Sequence, residues 1–174
     1  MKITVIGPGA IGLVLAGSLD SKNQVSVLTK PEAYEKLKKN GLWIKERNKK
    51  RKINAKIITE IDDSEIVIIA VKGYDLDTAV NLLHNFKGKV IICQNGLKML
   101  DLNLEHSNDI CAIVTSMGAI STNSGVTEFK GTGRTVLGSL NNVKRKRDEI
   151  LNIFSKKYFE ISHTNNIEKS IWLK

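Results

Sequence analysis

Long apolar segments and cysteines are scarce in this chain of 174 residues, and each scarcity excludes a class of protein. No apolar run reaches the roughly 18 to 20 residues that a membrane-spanning helix needs, and the N-terminal segment has no signal-peptide cleavage pattern. Cys93 and Cys111 lie inside apolar runs, without a CxxC spacing or a nearby histidine. We therefore expect two buried thiols in a cytoplasmic protein, with no metal site, disulfide scaffold or membrane partner.

Aromatic residues make up only 5% of the chain, although its formal net charge is +9. A basic chain suits nucleic acid, an anionic membrane surface or a phosphorylated small molecule, but proteins that bind single-stranded nucleic acid stack its bases on aromatic side chains. The densest basic runs, residues 49–52 and 144–147, are short and typical of solvated turns and helix faces. The composition therefore argues against a nucleic-acid partner.

Short apolar runs alternate with helical patterns along most of the chain. The apolar runs predict strands at residues 2–6, 24–29, 65–71, 89–93 and 110–114. The helical patterns predict helices from the first glycine loop to near residue 21, and at 31–41, 75–86, 97–105 and 143–158. This alternation predicts an α/β fold, a doubly wound Rossmann-type sheet that is mostly parallel and has helices on both faces.

Three segments depart from the alternation. Residues 42–46 and 52–58 flank a polar stretch and predict a hairpin excursion. After residue 115 the chain becomes rich in Gly, Ser and Thr, which predicts antiparallel strands at the edge of the sheet. Residues 166–174 predict the start of another helix.

A glycine loop follows the first strand with the spacing GxGxxG, and a helix and a second strand come next. In such a loop the first glycine permits a tight turn, the second lets the backbone approach a diphosphate, and the third lets the helix pack on the strand. The helix N-terminus then faces the anion. The alternative is a strand–turn–helix without a ligand, but this context favours a dinucleotide bound by the whole loop: Gly7, Pro8, Gly9, Ala10, Ile11 and Gly12.

The end of the second strand distinguishes between two dinucleotides. A carboxylate at this point accepts a hydrogen bond from the ribose 2′-OH of NAD, but this chain has Thr29 and Lys30 there. A lysine ammonium attracts a 2′-phosphate. The sequence therefore predicts NADP(H) as the cofactor, with Lys30 as its 2′-phosphate ligand; the alternative is a solvated surface lysine.

Three further segments resemble one family. AVKGYDLDTAV (70–80), QNGL (94–97) and IEKSIWLK (167–174) are similar to motifs of the ketopantoate reductases, also called 2-dehydropantoate 2-reductases. The region after residue 115 is similar to that family in texture and spacing. Together with the glycine loop, the similarity spans the whole chain.

The resemblance implies an activity and a role for individual residues. The activity is the NADPH-dependent reduction of ketopantoate to pantoate, in pantothenate and coenzyme A biosynthesis. Lys72 would contact the cofactor, Asn95 would contact both cofactor and substrate, and the backbone at Ile120 would line the cofactor site. Lys174 would contact the substrate and act as general acid. Without the resemblance, Lys72 is interpreted as a solvent-exposed strand-end lysine, Asn95 as a turn residue and Lys174 as a helix-surface lysine.

The chain also departs from the family pattern. Lys98 stands where the family commonly has glycine, and Lys30 stands where arginine is frequent, which removes the bidentate fork. The resemblance implies a further all-helical domain, and we expect that these 174 residues do not include it. We therefore expect an NADP-binding domain at 1–165 and, at 166–174, the start of a helix leading to the absent domain. We also expect slow or no turnover, and an uncovered apolar face through which a homo-oligomer could form.

Two other functions stay open at this point. One is an NADP-dependent reductase of another 2-keto or hydroxy acid, because the residues that select the substrate would lie mostly beyond residue 174. The other is a non-catalytic dinucleotide-binding sensor. A sensor has no need of a proton donor, so Lys174 argues against it.

Overall fold

The computed structural model describes residues 1–19, 22–102, 109–140, 147–155 and 157–174. Five α-helices lie within these residues: α1 (Ala10–Ser18), α2 (Pro31–Asn40), α3 (Leu76–Asn81), α4 (Arg147–Asn152) and α5 (Ile167–Trp172). Two 3₁₀ turns span Gly73–Asp75 and Leu97–Leu100. The strands of the same residues are β1 (Lys2–Ile6), β2 (Gln24–Leu28), β3 (Trp43–Glu46), β4 (Lys49–Lys52), β5 (Lys56–Ile58), β6 (Ile66–Ile69), β7 (Lys89–Ile92), β8 (Ile110–Thr115), β9 (Gly118–Asn123), β10 (Val126–Gly131), β11 (Thr135–Ser139) and β12 (Ile161–His163).

The main sheet is mostly parallel, in the order β12-β11-β8-β7-β6-β1-β2-β5. β1 pairs in parallel with both β2 and β6, and β7 pairs in parallel with β6 and β8. β11 runs antiparallel to β8 and carries β12 on its outer side. The predicted α/β fold, with a doubly wound sheet and antiparallel strands at one edge, is confirmed.

The direction in which strands are added reverses at β1. From β1 the chain proceeds to β2 and β5 on one side, and then crosses over to β6, β7 and β8 on the other. The loops that follow β1 and β6 therefore diverge, and they leave a crevice at the carboxyl ends of the strands. In open α/β sheets this switch point is where ligands bind.

Alternate side chains of the strands supply two hydrophobic layers. In β6, Ile66 and Ile68 pack in one layer, whereas Val67 and Ile69 pack in the other, and all four are buried. The first layer also contains α1 and α4, and the second contains α3 and α5. Helices thus cover both faces, which explains why the central strands are apolar at every position.

A second sheet of four strands, ordered β4-β3-β10-β9, covers the outer side of α1. The prediction that the chain after residue 115 lies at the edge of the main sheet is therefore wrong for β9 and β10, and correct for β11. The sequence of α1, AIGLVLAGS, has no polar stripe, so the helix needs cover on both sides. Thr127 of β10 is buried there and donates its Oγ1 hydrogen to the Ala10 carbonyl at 3.0 Å.

Several element boundaries differ from the predictions. α1 ends at Ser18 because Leu19 turns into extended backbone and pairs with Phe154. The hairpin partner of β3 is β4, whose four side chains are all exposed and therefore carry no apolar pattern. β5 lies beside β2 in the main sheet, and α3 is shorter than predicted.

Two of the predicted helices extend into residues that the structure does not describe. The helix predicted at 97–105 is a 3₁₀ turn at its start, and residues 103–108 lie outside the described residues. Of the helix predicted at 143–158, the described residues are helical only over α4 (Arg147–Asn152), and residues 153–155 and 157–158 are not helical. Residues 143–146 and 156, which include 144–146 of the basic run, lie outside the described residues. The prediction of α2 is confirmed: it begins at Pro31 and ends before Gly41, whose φ of 70° terminates it.

The expectations about cysteines and membranes can be checked in the same residues. Cys93 and Cys111 are both buried, as predicted, and both are free thiols. The described part of the chain contains no group of three or more side chains suited to hold a metal ion. None of its helices combines the length and apolar character required to cross a bilayer.

Candidate active site

The glycine loop between β1 and α1 is packed against the end of β6. Gly7 has a φ of +104°, and a Cβ there would lie 2.9 Å from the Ala70 carbonyl oxygen. A Cβ on Gly12 would lie 1.9 Å from the Gly7 carbonyl oxygen. These two glycines therefore let the first turn of α1 sit directly against the loop, as the spacing predicts.

Gly9, in contrast, faces open space. It is the N-cap of α1, and among the described residues no side chain caps this helix end and no atom lies within 4 Å of a Cβ placed on Gly9. In the part of the chain that the structure describes, the first-turn N–H groups thus have no side-chain acceptor, and the first turn of α1 contains no acidic residue that would offset the positive end of the helix dipole. This arrangement fits an anionic diphosphate.

Two cavities meet at this helix end. The first, which we call the β2-side cavity, has a volume of about 360 Å³ and extends from the loop toward the end of β2. Its walls are mostly apolar and include Pro8, Leu28 and Ala33, while Lys30, Lys72 and Asp75 bring charge to it. Its size and lining fit a flat heterocycle and a sugar with an anionic group.

The second, the β7-side cavity, has a volume of about 610 Å³ and lies between the loop and the end of β7. Ala10 and Ile11 line it on one side, and Gln94 and Asn95 line it on the other. Lys72 lines both cavities, and it has no ion-pair partner among the described residues. Its ammonium is therefore available to an anion bound at the helix end.

A third cavity of about 450 Å³, the α5 cavity, brings the end of α5 beside the loop after β7. Lys174 and Asn95 both line it, and Lys174 Nζ donates a hydrogen bond to Asn95 Oδ1. Asn95 also lines the β7-side cavity, so the two spaces share one wall. The structure thus joins two residues that the family resemblance singles out.

The surroundings of Lys174 change its acidity. Partial burial lowers the pKa of its ammonium below 10.5, and the nearby Cys93 thiol opposes this change. Cys93 itself is fully buried, and desolvation raises the pKa of its thiol to about 12, against the influence of Lys174. The thiol stays protonated at neutral pH, so Cys93 is not a nucleophile in this site.

Two residues of the site were not predicted from the sequence. Asp75 lies at the end of the 3₁₀ turn after β6, and its Oδ1 is 2.9 Å from Lys30 Nζ. Gln94 donates from Nε2 to the Asn95 carbonyl at 3.0 Å, whereas its Oε1 is buried without a donor among the described residues. Both residues lie inside the motifs 70–80 and 94–97, which is the signal that could have found them.

Ile120 lies apart from these cavities. It belongs to β9 in the second sheet, pairs with Glu128 and is 53% exposed. It is not among the residues that line the three cavities described above. The role that the resemblance implies for Ile120 stays a prediction.

The profile of the family described as ketopantoate reductase PanE/ApbA matches residues 3–142. The chain belongs to this family. The resemblance seen in the sequence motifs is thereby confirmed, and the family is one of oxidoreductases.

Relatives and solved structures agree with this membership. A 2-dehydropantoate 2-reductase of Pyrococcus horikoshii is 29% identical over 180 residues, covering 100% of this chain and 60% of the relative. The crystal structure of 2-dehydropantoate 2-reductase from Geobacter metallireducens has a TM-score of 0.85 at 21% identity, covering 99% of this chain and 60% of that one. The chain therefore spans about 60% of the length of such relatives.

The same fold occurs in a protein that is named for a different reaction. The ternary structure of D-mandelate dehydrogenase with NADH and anilino(oxo)acetate has a TM-score of 0.82 at 22% identity, covering 99% of this chain and 59% of that one. At this level of identity the likeness establishes the fold, and the chemistry has to be argued from the site.

Proposed function

We propose that this chain binds NADP(H) and serves the reduction of ketopantoate to pantoate, the reaction of a 2-dehydropantoate 2-reductase. The observation that carries the proposal is the hydrogen bond between Lys174 and Asn95, next to a cavity that opens on the uncapped N-terminus of α1. Family membership and relatives named 2-dehydropantoate 2-reductase support the same reaction.

The chemistry divides between the cofactor and the side chains. When bound, a reduced nicotinamide supplies a hydride. Reduction of a ketone develops negative charge on the carbonyl oxygen, and an ammonium beside that oxygen stabilises the charge and donates the proton. The hydrogen bond from Lys174 to Asn95 supports this role for Lys174, and partial burial lowers the pKa of its ammonium, which makes it a better proton donor.

The other residues hold the cofactor. The N–H groups at the start of α1 bind its diphosphate, and Gly9 leaves the necessary space. Lys72 neutralises negative charge where the two cavities meet. In the β2-side cavity, Lys30 attracts the 2′-phosphate and thereby favours NADP(H) over NAD(H).

The division of the chain belongs to the same proposal. Residues 1–165 form the NADP-binding domain, and 166–174 lead toward a helical domain. α5 buries Ile167 and Ile171 in the second hydrophobic layer, so the helix that carries Lys174 is anchored to the sheet. Two thiols without a disulfide fit a cytoplasmic location.

A reductase of another 2-keto acid is the second candidate. It is favoured by the fold that the chain shares with D-mandelate dehydrogenase, which is solved with NADH and anilino(oxo)acetate. The two candidates share the proton donor and differ only in the substrate.

A turnover assay tests the proposal. NADPH oxidation is followed on addition of ketopantoate, with 2-oxo-2-phenylacetate as the competing 2-keto acid and NADH as the competing cofactor. Because we expect at most slow turnover from these 174 residues, the predicted result is a low rate of NADPH oxidation that depends on ketopantoate and exceeds the rate with the aromatic acid. A faster rate with the aromatic acid would favour the second candidate, and a chain that binds neither dinucleotide would overturn both.

A further inference from the structure

Lys30 and Asp75 form an ion pair across the wall of the β2-side cavity. Lys30 is the N-cap residue of α2 and comes from the end of β2, whereas Asp75 comes from the 3₁₀ turn after β6. Forty-five positions separate them, but Lys30 Nζ and Asp75 Oδ1 are 2.9 Å apart. Both residues line the cavity.

This pair places the Asp75 carboxylate next to the end of β2, where the sequence itself has no acidic residue. The end of β2 lacks the acidic residue that usually recognises a ribose 2′-OH, and the loop after β6 supplies one from the neighbouring side of the crevice. The Asp75 side chain is 29% exposed, so one of its oxygens is engaged by Lys30 while the carboxylate still borders the cavity.

A carboxylate at this position opposes a 2′-phosphate in two ways. It occupies the ammonium of Lys30, which is the attractive group for the phosphate. It also repels a phosphate that carries between one and two negative charges at neutral pH. Toward a ribose 2′-OH, in contrast, the carboxylate is a hydrogen-bond acceptor.

The ion pair is weak enough to be displaced. Lys30 is 69% exposed on its side chain, and exposed pairs in water contribute little to stability. A 2′-phosphate can therefore take Lys30 from Asp75, but the carboxylate remains close by when it does. Glu32 also acts on Lys30, although it does not line the cavity.

We propose that Asp75 is a specificity-determining residue of the cofactor site, which weakens the selection of NADP(H) over NAD(H) by neutralising Lys30 and repelling the 2′-phosphate. This inference rests on the proposed function, because it takes the β2-side cavity as the site of the adenosine ribose. The Asp75 carboxylate would thus set the ratio of the affinities for NADPH and NADH.

The test compares Asp75→Asn with a matched variant, Asp63→Asn. Asp63 pairs with Lys2 at the opposite end of the strands, so its replacement changes the net charge equally but leaves the cavity intact. Dissociation constants for NADPH and NADH are measured by calorimetry, together with those for adenosine 2′,5′-bisphosphate and AMP. We expect Asp75→Asn to raise the ratio of NADPH to NADH affinity by roughly three- to tenfold, with no change in Asp63→Asn.

A second substitution separates the two causes. In a Lys30→Met background, competition for the ammonium is gone, so the effect of Asp75→Asn should shrink to the repulsive part. An affinity ratio that is the same in Asp75→Asn as in Asp63→Asn, while the wild-type chain binds NADPH, would overturn the role of Asp75 alone. A wild-type chain that binds neither dinucleotide nor adenosine 2′,5′-bisphosphate would overturn the proposed function and this inference with it.

Discussion

Lys174 donates a hydrogen bond from Nζ to Asn95 Oδ1, although 79 positions separate the two residues in the chain. The loop after β7 presents Asn95, and α5, anchored by Ile167 and Ile171, brings Lys174 to it. A lysine ammonium and an asparagine amide thus lie beside the crevice at which the sheet reverses its direction.

The first prediction separates binding from folding at the glycine loop. Gly9→Ala should leave the free energy of unfolding within about 0.5 kcal/mol of wild type, because the added methyl meets no protein atom. The methyl should, however, abolish measurable NADPH binding, since it occupies the space before the helix N-terminus. Calorimetric titration and thermal unfolding of the same preparation check both effects.

Gly12→Ala is the matched control for that variant. Its methyl would lie 1.9 Å from the Gly7 carbonyl oxygen, so the helix has to move. We expect a loss of at least about 2 kcal/mol in the free energy of unfolding. Equal stability losses in both variants would contradict the assignment of Gly9 to the ligand side of the loop.

The second prediction concerns the charge of Lys30. Lys30→Glu should weaken NADPH binding by about a hundredfold, because the change replaces attraction by repulsion at a 2′-phosphate. NADH binding should change by less than about threefold, since its 2′-OH carries no charge. Lys38→Glu, on the same helix but outside the cavity, controls for net charge. Parallel losses for both cofactors in Lys30→Glu would be evidence of a different bound orientation.

The third prediction is the pH dependence of turnover. Proton donation requires the protonated form of Lys174, so kcat/KM should fall as the pH rises through the pKa of this group. Burial holds that pKa below 10.5, which places the alkaline limb below pH 10.5. Lys174→Met should lower kcat by roughly 10²- to 10⁴-fold and remove the limb. A pH profile that is the same in Lys174→Met and wild type would exclude Lys174 as the donor.

The fourth prediction concerns Asp62, in the loop between β5 and β6. Its carboxylate accepts hydrogen bonds from the hydroxyls of Thr4, Ser26 and Ser64, at 3.2, 3.0 and 2.7 Å. Burial raises the pKa of Asp62, but the three hydrogen bonds outweigh it and hold the pKa below 3.8. Asp62→Ala should cost about 2 kcal/mol of unfolding free energy, because it leaves the buried hydroxyl of Thr4 with one partner fewer.

The sign of the pH effect follows from the lowered pKa. The stabilisation by the Asp62 carboxylate is complete above pH 3.8 and is lost as the pH falls through the lower pKa of the folded state. Urea unfolding at pH 7 and at pH 3 should therefore show a smaller difference between Asp62→Ala and wild type in acid. Asp77→Asn, which breaks an exposed ion pair with Lys98, is the control variant for the same unfolding measurements at the two pH values. A difference that grows in acid would contradict the assignment.

The main sheet was predictable because its strands are buried on both faces. A run such as Ile66–Ile69 is apolar at every position, which is typical of a strand that is buried on both faces of a sheet. The carboxyl ends of parallel strands share one edge, so Lys72 and Asn95 could be placed at the crevice before the structure was known. β4 could not be predicted, since its four exposed side chains carry no pattern.

The ion pair between Lys30 and Asp75 also could not be predicted from the sequence. Each residue ends a different loop, and their meeting depends on the parallel alignment of β2, β1 and β6 and on the path of the 3₁₀ turn. The destination of β9 and β10 depends in the same way on a long-range contact, the buried hydrogen bond from Thr127 to the N-terminus of α1. Local sequence patterns do not encode such long-range contacts, because the contacts depend on how the whole chain folds.

The proposed binding of a dinucleotide diphosphate at the open N-terminus of α1 can be tested directly. A chain of 19.3 kDa is suited to amide nuclear magnetic resonance, so the backbone N–H signals can be followed during titration with NADPH. We predict saturable shifts that are largest at Gly9, Ala10 and Ile11, accompanied by shifts at Lys30 and Lys72. Saturable binding that leaves the signals of Gly9 to Ile11 unchanged, or no binding at all, would contradict the claim.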